Sequence, residues 1–225
     1  MIPFLHAATA CVLATMVLGA QAQDVAGDPA AGQRKAAMCI GCHGIPNYRA
    51  SFPEVHQVPM ISGQGARYIA AALNGYRSGE RRHPTMRGVA GSLTDQDIAA
   101  LSVYYASHPP AASTAAAAAA APSEQVAELL KRGNCMSCHG ENLNKPIDGS
   151  YPKLAGQHAD YLFVALKAYQ GGNGRNTGRG NAIMAGMAKP YTAAELKAMA
   201  DHIAALPGDL DGARSREQLR RRRPA

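Results

Sequence analysis

The pattern Cys-x-x-Cys-His occurs twice in this chain of 225 residues, and it constrains the fold more than any other feature. The first copy runs from Cys39 to His43 and the second from Cys135 to His139. Two thiols at this spacing can reach the two vinyl groups of a haem as thioethers, and the adjacent His can bind its iron. We therefore expect two covalently bound haem c groups, each held by its own part of the chain.

Other chemistry is possible at a Cys-x-x-Cys pair, namely a disulfide, a redox dithiol or a structural zinc site. The chain has five cysteines, of which Cys11 lies in the predicted signal peptide described below, so that the exported protein would keep four. Four cysteines in an oxidising compartment suggest disulfides, and Cys-x-x-Cys alone is typical of a redox dithiol. The His that directly follows each second Cys argues against both interpretations. Zinc requires further Cys or His ligands at matching spacing, and the sequence offers none.

The sequence around the motifs is duplicated as well, which indicates a tandem repeat. The segment Pro59–Gln64 matches Pro152–Gln157 at an offset of 93 residues. No run of residues shows the alternation of a β-strand, so the predicted fold class is all-α. We place one domain at residues 24–108 and the other at residues 123–208.

Three helices are predicted in each repeat. In the first repeat, Asp28 caps a helix that runs through Met38 into the first Cys, so that the motif starts at a helix C-terminus. A second helix ends near Gly79, and a last helix starts at Thr94, whose copy in the second repeat is Thr192. Each repeat alone is small and poor in aromatic residues, and a large apolar cofactor would supply the missing buried surface.

Each iron needs a second axial ligand, and a methionine occupies an equivalent position in each repeat. Met86 and Met184 lie seven residues before Leu93 and Tyr191, each of which directly precedes the Thr at the start of the last helix. The competing ligands His83 and Met187 have no ligating residue at the equivalent position of the other repeat. His/Met ligation raises the reduction potential and leaves no open position for oxygen or peroxide, so it favours electron transfer over catalysis.

The predicted site residues follow from these two patterns. The haem-attaching residues are Cys39, Cys42, Cys135 and Cys138. The iron ligands are His43, Met86, His139 and Met184. No residue is assigned a catalytic role, because a six-coordinate iron passes electrons and does little else.

Three segments lie outside the two predicted domains. Residues 1–22 carry no Asp, Glu, Lys or Arg and end in Ala-Gln-Ala, which is typical of a cleaved secretory signal peptide. A membrane anchor is the alternative, but the apolar run is shorter than a spanning helix requires. Residues 109–122 form an Ala/Pro-rich linker, and residues 209–225 form an Arg-rich tail that we expect to be disordered. An exported protein of this kind is expected in the periplasm.

With both motifs, both methionines and the repeated helices placed, the chain resembles the cytochrome c4 family of dihaem class I cytochromes from Asp28 to Pro207. The resemblance implies two small all-helical cytochrome c domains whose haems face each other across the domain interface. It also implies a periplasmic electron carrier between a cytochrome bc complex and a terminal oxidase. The alternatives are the electron-accepting subunit of a periplasmic dehydrogenase, such as flavocytochrome c sulfide dehydrogenase, and a dihaem peroxidase-like enzyme.

The net charge of +7 bears on the partners that such a carrier would meet. In a cytochrome c fold the Met-bearing loop lies near the exposed haem edge, and four arginines flank Met86. These arginines predict a positive surface that steers the protein to an acidic redox partner. The four residues are Arg77, Arg81, Arg82 and Arg87. Pairing of some of them with haem propionates is an alternative, as is contact of the Arg220–Arg223 run with an anionic membrane surface. No nucleic-acid partner is expected.

Overall fold

The computed structural model describes residues 25–108, 121–171 and 176–210. The predicted signal peptide, most of the linker and almost all of the Arg-rich tail lie outside the described residues and stay predictions. We call residues 25–108 the first half of the protein and residues 121–210 the second half. Within these residues no helix is long and apolar enough to cross a bilayer.

Five helices build the first half, in agreement with the predicted all-α class. They are α1 (Pro29–Lys35), α2 (Ala37–His43), α3 (Ala66–Ser78), α4 (Pro84–Gly91) and α5 (Asp95–Ala106). Three two-residue strands accompany them: β1 (Arg49–Ala50), β2 (His56–Gln57) and β3 (Arg81–Arg82). β1 and β2 pair antiparallel and form a short hairpin.

The second half repeats this order with small changes. Its elements are α6 (Glu124–Arg132), α7 (Met136–His139), a 3₁₀ turn (Glu141–Leu143), α8 (Ala159–Gln170), β4 (Gly178–Arg179), α9 (Ala182–Ala188) and α10 (Ala193–Ala205). β4 pairs antiparallel with β3 of the first half, so the halves share a two-stranded ladder.

The predicted helix starts are correct because side chains cap them. Asp28 accepts hydrogen bonds from the backbone N–H groups of Ala30 and Ala31. Thr94 caps α5 and Thr192 caps α10, each in a reciprocal capping box with the acidic residue three positions on. Such caps each stabilise a helix by about 1 kcal/mol, which is enough to position the start of a short helix.

The predicted continuation of the first helix into the motif is wrong. α1 ends at Lys35, and Ala36 has φ of −60° and ψ of −14°, closer to 3₁₀ than to α geometry. The N–H of Cys39 accordingly donates to the carbonyl of Ala36 at 2.9 Å. Ala36 is fully buried, so packing favours a tighter turn here over a continuous helix. The first motif therefore lies within α2 and does not follow a helix end.

A separate apolar core lies in each half. In the first half, Ile98, Leu101 and Tyr105 of α5 pack with Ile40 and Ile69. In the second half, the core combines residues of α6, α8 and α10, including Leu129, Leu162, Leu196 and Ile203. Each core lies beside the motif of its own half.

Close contact between α1 and α5 depends on Gly32. A Cβ at this position would overlap the carbonyl oxygen of Ala100 and would lie 2.7 Å from the Cβ of Tyr104. The equivalent contact, between α6 and α10, is less extensive. The first half thus uses a glycine to let two helix backbones touch.

Two buried glutamines hold the halves together, and we call the surface between the halves the seam. Gln64 donates to the carbonyl of Lys153 at 3.0 Å and accepts from its N–H at 2.9 Å. Gln157 makes the same pair of bonds to Met60, at 2.9 and 3.0 Å. Gln64 and Gln157 are equivalent in the repeat, as are Met60 and Lys153, so the seam has approximate twofold symmetry.

Ion pairs surround these buried bonds at the rim of the seam. Arg49 lies 3.4 Å from Asp160, Arg67 lies 3.3 Å from Asp148, and Lys167 pairs with Glu54. These side chains are partly exposed, so each pair contributes only ~0.2–1 kcal/mol. The reciprocal glutamine bonds, being buried, define the relative position of the halves more strongly.

Candidate haem sites

A cavity of about 770 Å³ extends through the seam and is lined by both halves. All eight residues predicted from the sequence line it: Cys39, Cys42, His43, Met86, Cys135, Cys138, His139 and Met184. Much of the remaining wall is apolar, with side chains such as Ile69, Leu73, Leu154 and Leu166. The structure therefore brings the predicted attachment and ligand residues of both repeats to one continuous, largely apolar space.

The histidine of each motif is oriented by a backbone carbonyl. Nδ1 of His43 donates to the carbonyl oxygen of Pro59 at 2.8 Å, and Nδ1 of His139 donates to that of Pro152 at 2.9 Å. A carbonyl can only accept, so Nδ1 carries the proton and Nε2 keeps its lone pair. Burial lowers the pKa of both rings, which holds them neutral. Each ring is thus in the protonation state and tautomer that a metal ligand needs.

The four cysteines of the described residues form no disulfide. Burial raises the pKa of Cys39 to about 11 and also raises the pKa of Cys135. A redox dithiol needs a nucleophilic thiol with a lowered pKa, which is the opposite of what burial does here. The geometry therefore argues against a redox dithiol and leaves the thiols available for thioether bonds.

Two short helices, which the sequence reasoning did not predict, carry the methionines. His83 caps α4 and accepts a hydrogen bond from the N–H of Met86 at 3.4 Å. Asn181 caps α9 and accepts from the N–H of Met184 at 2.9 Å. The signals in the sequence were these capping residues and Pro84, which is well suited to the first turn of a helix. Both methionines therefore occupy the same position in the first turn of equivalent helices.

The competing ligands also border the cavity. His83 lines it, but its Nδ1 serves as the acceptor that caps α4. Met187 lines it as well and is 46% exposed. The equivalence of Met86 and Met184 in position and capping is what distinguishes them from these two.

A zinc site is not present in the part of the chain that the structure describes, since no group of three or more His, Cys, Asp or Glu side chains is placed to hold a metal ion. Next to Cys39, the hydroxyl of Tyr105 is buried and has no conventional hydrogen-bond partner among those residues. Each half offers two thiols, one neutral imidazole and one thioether between apolar walls. This set of groups fits covalently attached haem c better than a bare metal ion.

The four arginines around Met86 do not form one exposed surface, contrary to the prediction. Arg77 is exposed and pairs with Asp95 at 2.6 Å, and Arg87 is exposed as well. Arg82 is partly buried and donates to the carbonyl of Gly79 at 3.3 Å. Arg81 instead lines the cavity, where its guanidinium stacks on Tyr68. Pairing of β3 with β4 accompanies this inward position of Arg81. Its partner in the ladder is Arg179, which the sequence did not indicate.

Comparison with known proteins gives consistent matches. The family model for cytochrome c matches residues 123–207. Cytochrome c4 from Azotobacter vinelandii is 31% identical over 198 residues, which cover 80% of this chain and 90% of that protein. The thiosulfate dehydrogenase electron acceptor of Stutzerimonas stutzeri (strain A1501) is 30% identical over 203 residues, which cover 85% and 91%. The crystal structure of reduced recombinant cytochrome c4 from Pseudomonas stutzeri matches with a TM-score of 0.60 at 31% identity, over 80% of this chain and 100% of that chain.

Proposed function

Because the chain belongs to the cytochrome c4 family of electron-transfer cytochromes, we propose that it is a periplasmic carrier that takes electrons from a cytochrome bc complex and delivers them to a terminal oxidase. Haem c is the covalent cofactor of this family. When bound, each haem supplies one iron that changes between ferric and ferrous and so holds one electron. The residues of the chain attach, orient and enclose the two groups.

The proposed ligand sets follow the repeat. In the first half, Cys39 and Cys42 would attach one haem, and His43 and Met86 would bind its iron. In the second half, the corresponding residues are Cys135, Cys138, His139 and Met184. The carbonyls of Pro59 and Pro152 keep the imidazoles in place, and the caps of α4 and α9 do the same for the methionine backbones.

The single observation that carries this proposal is the continuity of the cavity. The predicted ligand residues of both halves line one space that crosses the seam. An electron that enters through one half therefore has a short route to the other without leaving the protein. A His and a Met bound to each iron would leave peroxide no vacant site, and this opposes the peroxidase-like alternative.

A second candidate function is that of electron acceptor for a periplasmic dehydrogenase. It is favoured by the relative described as a thiosulfate dehydrogenase electron acceptor, which the chain matches along 91% of its length. The two candidates require the same haem sites and differ only in the protein that donates electrons.

Stopped-flow reduction of the purified oxidised protein separates the two candidates. One arm uses a cytochrome bc complex supplied with quinol, and the other uses a thiosulfate dehydrogenase supplied with thiosulfate. Reduction by the bc complex at 10⁶ M⁻¹s⁻¹ or faster, on the order of a productive protein encounter, with reoxidation by a terminal oxidase, is the expected result. Faster reduction in the dehydrogenase arm would replace the first candidate by the second.

The matched control is a chain with Cys135 and Cys138 changed to Ala, which keeps the first motif. It should take up one electron per chain where the parent takes up two. Rapid consumption of peroxide by the parent protein with a reduced donor would contradict both candidates and support the peroxidase-like enzyme.

A further inference from the structure

A buried hydroxyl lies in the first half where the second half has an aliphatic side chain. Tyr105 on α5 is 2% exposed, and among the described residues its hydroxyl has no hydrogen-bond partner. The N–H of Gly63 donates to the carbonyl of Tyr105 at 2.9 Å, and the N–H of Gly156 donates to that of Ile203 at 3.1 Å. Gly63 and Gly156 are equivalent in the repeat, so Tyr105 and Ile203 are equivalent as well.

The ring of Tyr105 is held from several sides. Its centre lies 5.1 Å from that of the Tyr104 ring and 5.6 Å from that of the His108 ring, edge-to-face in both pairs. Ile98 and Leu101 of the same helix belong to the same packed core. The hydroxyl therefore has a fixed direction. A buried hydroxyl without an acceptor costs free energy, so this one calls for an acceptor that the loaded protein supplies.

The sulfur of Cys39 is the candidate acceptor. Cys39 packs against the core that contains Tyr105, and both residues line the cavity. Burial raises the pKa of the Cys39 thiol to about 11, and the neighbouring hydroxyl of Tyr105 lowers this pKa in part, so the two groups act on each other. The hydroxyl oxygen is closed off from solvent, which favours a group of the chain over a water molecule as its acceptor.

Attachment of a haem changes which of these two groups can donate. Thioether formation joins the sulfur to one carbon of a vinyl group, and the thiol hydrogen goes to the other carbon. The sulfur then keeps its lone pairs but carries no proton, and a thioether sulfur is a weak acceptor. Of the two groups, only the hydroxyl of Tyr105 can then donate.

A tyrosine also lies beside the first cysteine of the second motif, but its hydroxyl has another partner. A Cβ added at Gly133 would lie 2.8 Å from the hydroxyl of Tyr191 and 3.1 Å from the sulfur of Cys135. The hydroxyl of Tyr191 donates to the carbonyl of Leu129 at 3.1 Å, so its proton is not available to the sulfur. The two cysteines therefore have different surroundings, although the motifs are equivalent.

We propose that the hydroxyl of Tyr105 donates a hydrogen bond to the sulfur of Cys39 in the loaded protein and thereby raises the reduction potential of the first haem alone. This inference rests on the proposed attachment of a haem at Cys39 and Cys42. The positive end of the O–H dipole then points towards an atom bonded to the haem. It stabilises the ferrous state, which holds one electron more than the ferric state, and a buried site screens this interaction weakly.

The test is a spectroelectrochemical titration of the dihaem protein and of its Tyr105→Phe variant. One midpoint potential should fall, with at least a twofold change in the ratio of ferric to ferrous haem at fixed potential. By the one-electron conversion of 59 mV per factor of ten, this is about 18 mV. The other potential should change less than twofold. The NMR signals that are lost in Met86→Ala identify the first haem, and these signals should follow the lowered potential.

Two further measurements report on the hydrogen bond itself. Equilibration of the parent protein in D₂O replaces the hydroxyl proton and should shift one carbon–sulfur stretching band in the resonance Raman spectrum, and Tyr105→Phe should abolish this isotope shift. Tyr105→Phe should also lower the guanidinium midpoint of the loaded protein, because a hydrogen bond is lost. The D₂O measurement on the parent requires no variant, so poor haem loading of Tyr105→Phe does not prevent the test.

The matched control is Tyr191→Phe, which removes the same hydroxyl group beside Cys135. Because that hydroxyl is bonded to the carbonyl of Leu129, both potentials should change less than twofold. The isotope shift of the parent should persist in this variant.

Specific outcomes overturn the inference. A parent protein without the isotope shift, or a first-haem potential that changes less than twofold in Tyr105→Phe, would exclude the hydrogen bond. A raised guanidinium midpoint would show that the hydroxyl stays without a partner in the loaded protein. Equal shifts of both potentials would indicate a general change of the cavity. Failure of the haem assignment would look different, since the parent would lack the ferrous haem bands, and a loaded parent that the bc complex does not reduce would contradict the proposed carrier alone.

Discussion

Truncation of Gln64 tests whether the seam is held by the reciprocal glutamine bonds. Gln64→Ala removes a buried side chain, 4% exposed, that bonds to both the N–H and the carbonyl of Lys153. Each group left without a partner at a buried site costs about 1–3 kcal/mol. Water can reach part of the opened space, so we expect a loss of about 2–4 kcal/mol in the free energy of unfolding. Guanidinium denaturation of the dihaem protein, followed by far-UV circular dichroism and haem absorbance, measures it.

The control for this variant is Gln57→Ala. Among the described residues, the side chain of Gln57 bonds only to Asn47 of its own half, at 3.1 Å and in an exposed position. Its loss should therefore cost less than about 0.5 kcal/mol. The double variant Gln64→Ala with Gln157→Ala should cost less than the sum of the two single variants, because the first change already loosens the seam that the second one needs. A loss no larger than that of Gln57→Ala, or strict additivity in the double variant, would refute the reasoning.

Further substitutions probe the iron ligands, the helix contact at Gly32 and the exposed charges. Met86→Ala and Met184→Ala should each remove about half of the weak red absorption band of Met-ligated ferric haem, and an unchanged band in either variant would exclude that methionine as a ligand. Gly32→Ala should lower the free energy of unfolding by about 3 kcal/mol, because the added Cβ overlaps the backbone of Ala100, and the midpoint of thermal unfolding should fall accordingly. Gly88→Ala, with open space around its Cβ, should be neutral or stabilising. Joint replacement of the exposed Arg77 and Arg87 by Gln should slow reduction by an acidic partner at low salt and flatten the salt dependence of the rate. If truncation after Asp211 alone slows the low-salt reduction in the same way, the steering charge lies in the tail.

Local signals in the sequence were sufficient for much of the fold. The capping residues Asp28, Thr94 and Thr192 start helices where predicted, and the repeat correctly identified the Gln64 and Gln157 segments as equivalent. Helix α2 was misjudged because the tight turn at Ala36 depends on core packing, which a periodicity does not report. The short helices α4 and α9 escaped prediction because they are rich in glycine and alanine and lack an apolar period.

The contacts across the seam were beyond the sequence for a different reason. Arg81 and Arg179 are separated by almost half of the chain, and Arg179 follows a glycine-rich stretch without helical or strand periodicity. No local rule pairs two arginines, since like charges repel in the absence of a bound anion. Arg81 was therefore interpreted as part of an exposed docking surface. In the folded protein its side chain instead lines the cavity.

Electron transfer by this chain depends on the attachment of one haem to each motif, which mass spectrometry of the denatured protein can measure. The purified protein should have the mass of its polypeptide plus two haem groups. Replacement of Cys39 and Cys42 by Ala should remove one of these groups while the second remains. Haem that dissociates on denaturation, or a polypeptide mass reduced by the hydrogens lost in two disulfides, would contradict covalent attachment at the two motifs.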